Sequence, residues 1–245
     1  MPVPSEEAAS WKDFERHASG YEDWYETPRG RRTAQAEQEL LAWLLAGLPG
    51  VRSILEVGCG TGHFLRRLLG EGFRPVGLDR SPAMLGALRE RIPGIPAVQG
   101  DALALPFSNA SVDVTLFVTA LEFVPDPLRA LCEAVRISRR GVVLLVLNRR
   151  SLGGLSRRIG PQSRRPLLSR ARDWRRLALE SLARRAAGSR LVDIRWAGTL
   201  FPWPLRERRG RFPLGDIIGV AMILGEGRVS GRETPFPPEH DRAIA

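Results

Sequence analysis

Residues Ile54–Leu69 read ILEVGCGTGHFLRRLL. Ile54, Leu55 and Val57 predict a buried strand. Gly58, Gly60 and Gly62 follow at alternate positions, and Phe64, Leu65, Leu68 and Leu69 return at helical spacing. A strand that runs through glycines into a helix is a binding loop of an open α/β sheet, because glycine admits positive φ and lets a ligand approach the main chain. The dinucleotide fingerprint G-x-G-x-x-G would need its third glycine at position 63, which is His63. That departure argues against NAD or FAD. No Gly-Lys-Ser/Thr follows, so a P-loop is excluded.

Downstream, Pro75–Leu78 predicts a second strand that ends in Asp79. An acidic residue there, about 20 residues past the glycine loop, is where a ribose diol is gripped; the plainer alternative is a helix-capping aspartate. Ser81 and Pro82 then supply an N-cap and a first helical residue for a helix to about Arg91. Pro96–Gln99 is a short third strand before Gly100-Asp101-Ala102, where Asp101 alone would read as an Asx-turn. Val112–Val118 is a fourth strand. Asp126 and Pro127 repeat the N-cap and N1 pairing for a helix over Leu128–Ile137, and Gly141–Leu147 is a fifth strand.

Upstream, Arg31–Leu48 predicts an amphipathic helix, preceded by Thr27-Pro28-Arg29-Gly30 as punctuation. Before it, Trp11–Tyr25 mixes charges with Trp11, Phe14, Tyr21, Trp24 and Tyr25, which either pack on the core or cover a ligand. After Asn148 the composition turns to arginine. A helix is expected from about Ser169 to Ala187, and Leu191–Trp196 and Ile217–Leu224 are the last two strands, joined by the proline-rich Phe201–Pro213. Loose tails are expected at Met1–Ser10 and from Glu233 onward.

The run E-V-G-C-G-T-G, headed by Glu56, resembles motif I of the class I S-adenosylmethionine (SAM) methyltransferases. Asp79 stands at motif II, GDALALPF resembles the G-D-A-x-x-L-P-F segment, and SVDVTLFVTALEFVPDP resembles the motif after the fourth strand. YEDWYETPRG resembles the Y-x-x-W-F/Y-x-T-P-x-G segment that precedes motif I in one branch, and it favours a lid reading of Tyr21, Trp24 and Tyr25. The resemblance, to the small-molecule and quinone branch, covers roughly Tyr21 to Asn148. It implies an α/β fold: a Rossmann-like, seven-stranded, mostly parallel sheet with helices on both faces and a C-terminal substrate cap. Residues 1–50 would be a helical lid, 51–148 the SAM-binding core, and 149–245 an arginine-rich cap with the last two strands. It implies SAM as cofactor, no metal, and a cofactor site of Glu56, Gly58, Gly60, Gly62, Asp79, Arg80, Asp101, Ala102, Thr119, Tyr21 and Tyr25. Asp101 would meet the adenine amino group. Related sequences often carry histidine where Phe123 stands, so any role of that histidine is absent. Candidate bases are Glu122, His63 and Tyr21, with His17 more remote; solvated or structural roles compete for each.

The chain has 245 residues and a net charge of +10, with Lys12 its only lysine. Such basicity admits nucleic acid, an anionic membrane or acidic substrates as partners. A nucleic-acid methyltransferase is disfavoured, because the loop after the fourth strand lacks the Asn/Asp-Pro-Pro-aromatic motif. A SAM-binding regulator without catalysis, and peripheral membrane contact through the basic segment, are the other readings. A small-molecule acceptor, apolar or anionic, is expected under a cap of Arg149–Arg190 and Phe201–Pro213. Two cysteines, Cys59 and Cys132, suggest neither a disulfide framework nor a zinc site. With no apolar N-terminal leader and no apolar run of spanning length, a cytoplasmic protein is expected.

Overall fold

A computed structural model of the chain describes residues 11–151, 153, 155, 171–200 and 215–225. Seven strands form one sheet in the order β3-β2-β1-β4-β5-β7-β6. They are β1 (Ser53–Val57), β2 (Arg74–Asp79), β3 (Ala97–Gln99), β4 (Val112–Val118), β5 (Ser138–Leu147), β6 (Leu191–Thr199) and β7 (Ile217–Leu224). The first five pair in parallel, and β7 lies antiparallel between β5 and β6. The seven-stranded, mostly parallel α/β sheet expected from the sequence is therefore present.

The helices are α1 (Trp11–His17), α2 (Asp23–Glu26), α3 (Pro28–Leu45), α4 (His63–Gly70), α5 (Pro82–Arg91), α6 (Pro127–Ile137) and α7 (Arg176–Ala187). The central strands are apolar on both faces and buried, as parallel strands between helical layers must be. Every residue of β4 is buried. One core joins β1, β4, β5 and β7 to α6 and α7, a second joins the opposite face to α3 and α4, and a smaller cluster joins Cys59 and Leu65 to α5.

Capping explains the helix starts. Ser81 accepts from the Met84 N–H ahead of Pro82, and Asp126 accepts from the Arg129 N–H ahead of Pro127. The same device corrects one expectation. Thr27 accepts from the Gly30 N–H and Pro28 is the first helical residue, so T-P-R-G starts α3 rather than punctuating the chain before it. Gly30 sits inside this helix because a Cβ there would lie 1.9 Å from the Trp24 carbonyl oxygen. Other bounds differ too, and α3 ends at Leu45 rather than Leu48. The helix expected from Ser169 begins at Arg176, β5 begins at Ser138, and β6 continues to Thr199. The expected tails, most of the arginine-rich segment and Phe201–Pro213 lie outside the described residues.

Candidate active site

The site is built where β1 and β2 end. Gly58, Gly60 and Gly62 all have positive φ, at 74°, 53° and 83°. Gly58 is also fixed by contact, since a Cβ there would come 2.6 Å from that of Ala120. The N–H groups of Gly58 and Cys59 donate to the Leu78 carbonyl at 2.7 and 3.1 Å, which ties the loop to β2. Asp79 completes the tie. Its Oδ2 accepts from the Gly60 N–H at 2.8 Å and its Oδ1 from the Ser81 N–H at 2.9 Å. Burial raises the Asp79 pKa, while the N–H donors of Ser81, Gly60 and Arg80 oppose the rise. A carboxylate has about four lone-pair sites, so both oxygens retain room for a diol.

The N-terminal segment lies over this loop. A Cβ on Gly60 would find Met84 Sδ at 3.9 Å and Tyr21 Cε1 at 4.0 Å. The Tyr25 ring stacks on His63 with centroids 3.7 Å apart and 9° between planes. Glu22 reaches beneath them. Its carboxylate accepts from the Thr61 hydroxyl, lies 3.4 Å from His63 Nδ1 and pairs with Arg91 Nη1 at 2.7 Å. Burial would raise the Glu22 pKa, but His63, Thr61 and Arg91 together hold it below its ordinary value. Phe14 of α1 packs edge-on against Phe123 at 4.8 Å. Phe123 thus packs in an apolar contact with the N-terminal segment.

The other candidates sort by environment. Burial pushes the Tyr21 phenol up to about 12 and Tyr25 well above its usual range, so both hold their protons; Tyr21 is suited to donate rather than to act as a base. Glu56 is 2% exposed, its Oε2 finds no hydrogen-bond partner among the described residues, and burial raises its pKa well above normal. Thr119 has φ of 46°, which turns the chain sharply off β4, and its N–H donates to the Leu145 carbonyl at 2.8 Å. Asp101 forms the Asx-turn, accepting from the Leu103 N–H at 2.9 Å, and its other oxygen lies 3.5 Å from Arg80 Nη1. Ala102 follows it, partly buried. His17 is exposed and bonds the Asp13 carbonyl. Glu122 is not a solvated carboxylate: it is 3% exposed and its Oε1 accepts from the Leu147 N–H at 2.6 Å.

Sequence reasoning missed Glu37. It is 4% exposed, and burial together with the charge of Glu122 pushes its carboxyl up to about 8. A signal was there to read: Glu37 falls on the buried stripe of α3, with Gly30, Ala34, Leu40, Leu41, Leu44 and Leu45.

The loop has the features a SAM site needs. The glycines leave room at the main chain, Glu56 Oε2 and His63 Nε2 are buried polar atoms without hydrogen-bond partners among the described residues, and Asp79 stands at the end of the neighbouring strand. Comparison with known proteins agrees. A family described as a methyltransferase domain matches residues 55–146. An uncharacterized methyltransferase of Mycobacterium tuberculosis is 39% identical over 103 residues, 42% of this chain and 41% of the relative. A demethylmenaquinone methyltransferase of Renibacterium salmoninarum is 35% identical over 109 residues, 44% of this chain and 46% of the relative. The matched stretch therefore spans less than half the length of these curated relatives. The crystal structure of a SAM-dependent methyltransferase of Thermotoga maritima, titled a "possible histamine N-methyltransferase", aligns with a TM-score of 0.72 and 28% identity, over 87% of this chain and 99% of that one. The sheet and loop define a SAM-type Rossmann-like domain. Residues 55–146 thus match a methyltransferase domain, and the chain is similar in sequence and fold to class I SAM-dependent methyltransferases.

Proposed function

We propose that this chain transfers a methyl group to a small-molecule acceptor. One observation carries the reading: the Gly60 N–H to Asp79 Oδ2 bond, under Tyr21, joins the two strand ends that a nucleoside-linked methionine must bridge. When bound, SAM supplies an electrophilic methyl on a sulfonium, and in-line displacement leaves a neutral thioether. The protein's part is then to hold the partners in line and exclude water, an effect worth about 7–11 kcal/mol in favourable cases.

In this reading Gly58, Gly60 and Gly62 leave room for the methionine end, and the N–H groups in the first turn of α4 receive its carboxylate. Asp79 accepts from the ribose hydroxyls. Asp101 and Ala102 meet the adenine, with Arg80 fixing Asp101. Glu56, Thr119, Tyr21 and Tyr25 complete the walls. Residues 1–50 act as the lid on 51–148, and 149–245 bring the acceptor cap and the last two strands. The names of the relatives, a demethylmenaquinone methyltransferase and a malonyl-[acyl-carrier protein] O-methyltransferase, support an acceptor other than nucleic acid. Among the described residues no helix is long and apolar enough to cross a membrane. Two free thiols suit a reducing compartment, and the reading places the chain in the cytoplasm.

Calorimetry with SAM, and with NAD as control, tests the proposal. SAM should bind without added metal, and tight NAD binding with silence towards SAM would overturn it. Labelled SAM offered with total RNA across a salt series checks the acceptor. Weak RNA binding that fades near physiological salt is expected; salt-resistant binding with label entering RNA would replace the small molecule by RNA.

A further inference from the structure

Glu37 and Glu122 converge at one end of the site. A Cβ on Gly141, near the start of β5, would meet Leu48 at 2.9 Å, and one on Gly219 would meet Leu44 at 2.7 Å and Leu40 at 2.9 Å. Gly219 stands level with Leu145. The α3 segment therefore runs antiparallel to β5, and Glu37, nearly one turn before Leu40, reaches the level of Leu147. Glu122 arrives at the same place from the loop after β4, through its bond with the Leu147 N–H.

Glu37 is 96% buried by the same measure that leaves it 4% exposed, and it makes no hydrogen bond or ion pair with the described residues. Glu122 is the group that acts on it, and it raises its pKa as burial does. A buried carboxyl facing a second one is costly, and leucine or glutamine would fill the helix face without that cost. The cofactor does not account for the pair. Glu56 and Asp79 lie on β1 and β2, whereas Glu122 bonds the end of β5 and α3, which carries Glu37, packs on β5, β6 and β7. Tyr21 and Tyr25 both sense the charge of Glu37.

We propose that Glu37 and Glu122 hold a protonated nitrogen of the methyl acceptor, so that the acceptor is a basic amine. This rests on the methyltransferase reading above and departs from the apolar or anionic acceptor expected from the arginine-rich composition. Surface arginines set the long-range field, while the buried carboxyls set the potential where the ligand sits.

The test uses the full chain saturated with S-adenosylhomocysteine and three probes of one shape: 2-phenylethylamine, 2-phenylethanol and 3-phenylpropanoate. Calorimetry should show the amine binding at least about tenfold more tightly than the alcohol or the acid. Glu37→Gln should abolish that preference and leave the affinity for S-adenosylhomocysteine unchanged. Glu122→Gln, which keeps an oxygen for the Leu147 N–H, should do the same and serves if the first variant does not fold. The wild-type comparison needs no variant at all. Equal binding of amine and alcohol, preference for the acid, or no binding of any probe overturns the amine proposal while S-adenosylhomocysteine still binds. Failure of S-adenosylhomocysteine to bind wild type overturns the methyltransferase reading instead.

Discussion

Asp113 and Glu37 are buried carboxyls at opposite ends of the sheet, and their surroundings could hardly differ more. Asp113, at the start of β4, accepts from the N–H groups of Arg52 and Ser53 at 2.9 Å each, from Ser53 Oγ at 3.0 Å and from Arg139 at 3.1 Å. Burial would raise its pKa, but these donors hold it down at about 2. Glu37 has no such donor among the described residues, and burial with the charge of Glu122 raises its pKa to about 8. A carboxyl that the fold uses to join strands is saturated by the fold itself. One without such donors among the described residues has a preference that those residues do not meet.

Substitutions should separate the two ends, the largest effect first. Asp113→Ala leaves the Arg52 and Ser53 donors without their acceptor and should destabilise the fold by about 3 kcal/mol in urea unfolding, with SAM affinity intact. A variant equally stable would mean that the amino end is held by packing alone. Asp79→Ala should act the other way round, weakening SAM by about 2 kcal/mol in calorimetry with a smaller loss of stability.

The pH dependence has opposite signs at the two ends. Asp113 has a depressed folded pKa, so its stabilisation is present above about 4 and lost as pH falls towards about 2. Glu37 has a raised folded pKa, so its contribution is full below about 4.5 and lost as pH rises through about 8. Glu37→Gln should therefore gain stability at pH 9, on the order of 1 kcal/mol, and show no gain at pH 4. Thermal melts at the two pH values decide it, and a variant weaker at pH 9 would show that Glu37 stabilises the fold. Tyr25→Ala removes the stacked pair with His63 and should cost about 1 kcal/mol of stability, the smallest of these effects.

The sequence was legible where structure is set locally. The glycine loop, the Ser81-Pro82 and Asp126-Pro127 helix starts and the alternation of strands with helices all follow from short-range rules. Thr27-Pro28 carries the same signature, yet Gly30 obscured it; only the approach of the Trp24 carbonyl explains a glycine there. Glu37 was illegible for a different reason. In A-E-Q-E-L it looks like one of several acids on a solvated face, and its meaning depends on Leu147, 110 positions away, and on Glu122. Asp101 shows the opposite case, in which the Asx-turn that the local sequence predicts is present.

The two cysteines offer a clock for the loop. Cys132 is exposed on α6, whereas Cys59 is buried and its thiol pKa is raised well above normal by burial, then by Glu56 and Asp79. An alkylating reagent will therefore take Cys132 in the folded chain and reach Cys59 only when the glycine loop opens. The rate of the second modification counts those openings. A ligand that binds the closed loop must slow that rate in proportion to its occupancy, whether or not any methyl group is ever transferred.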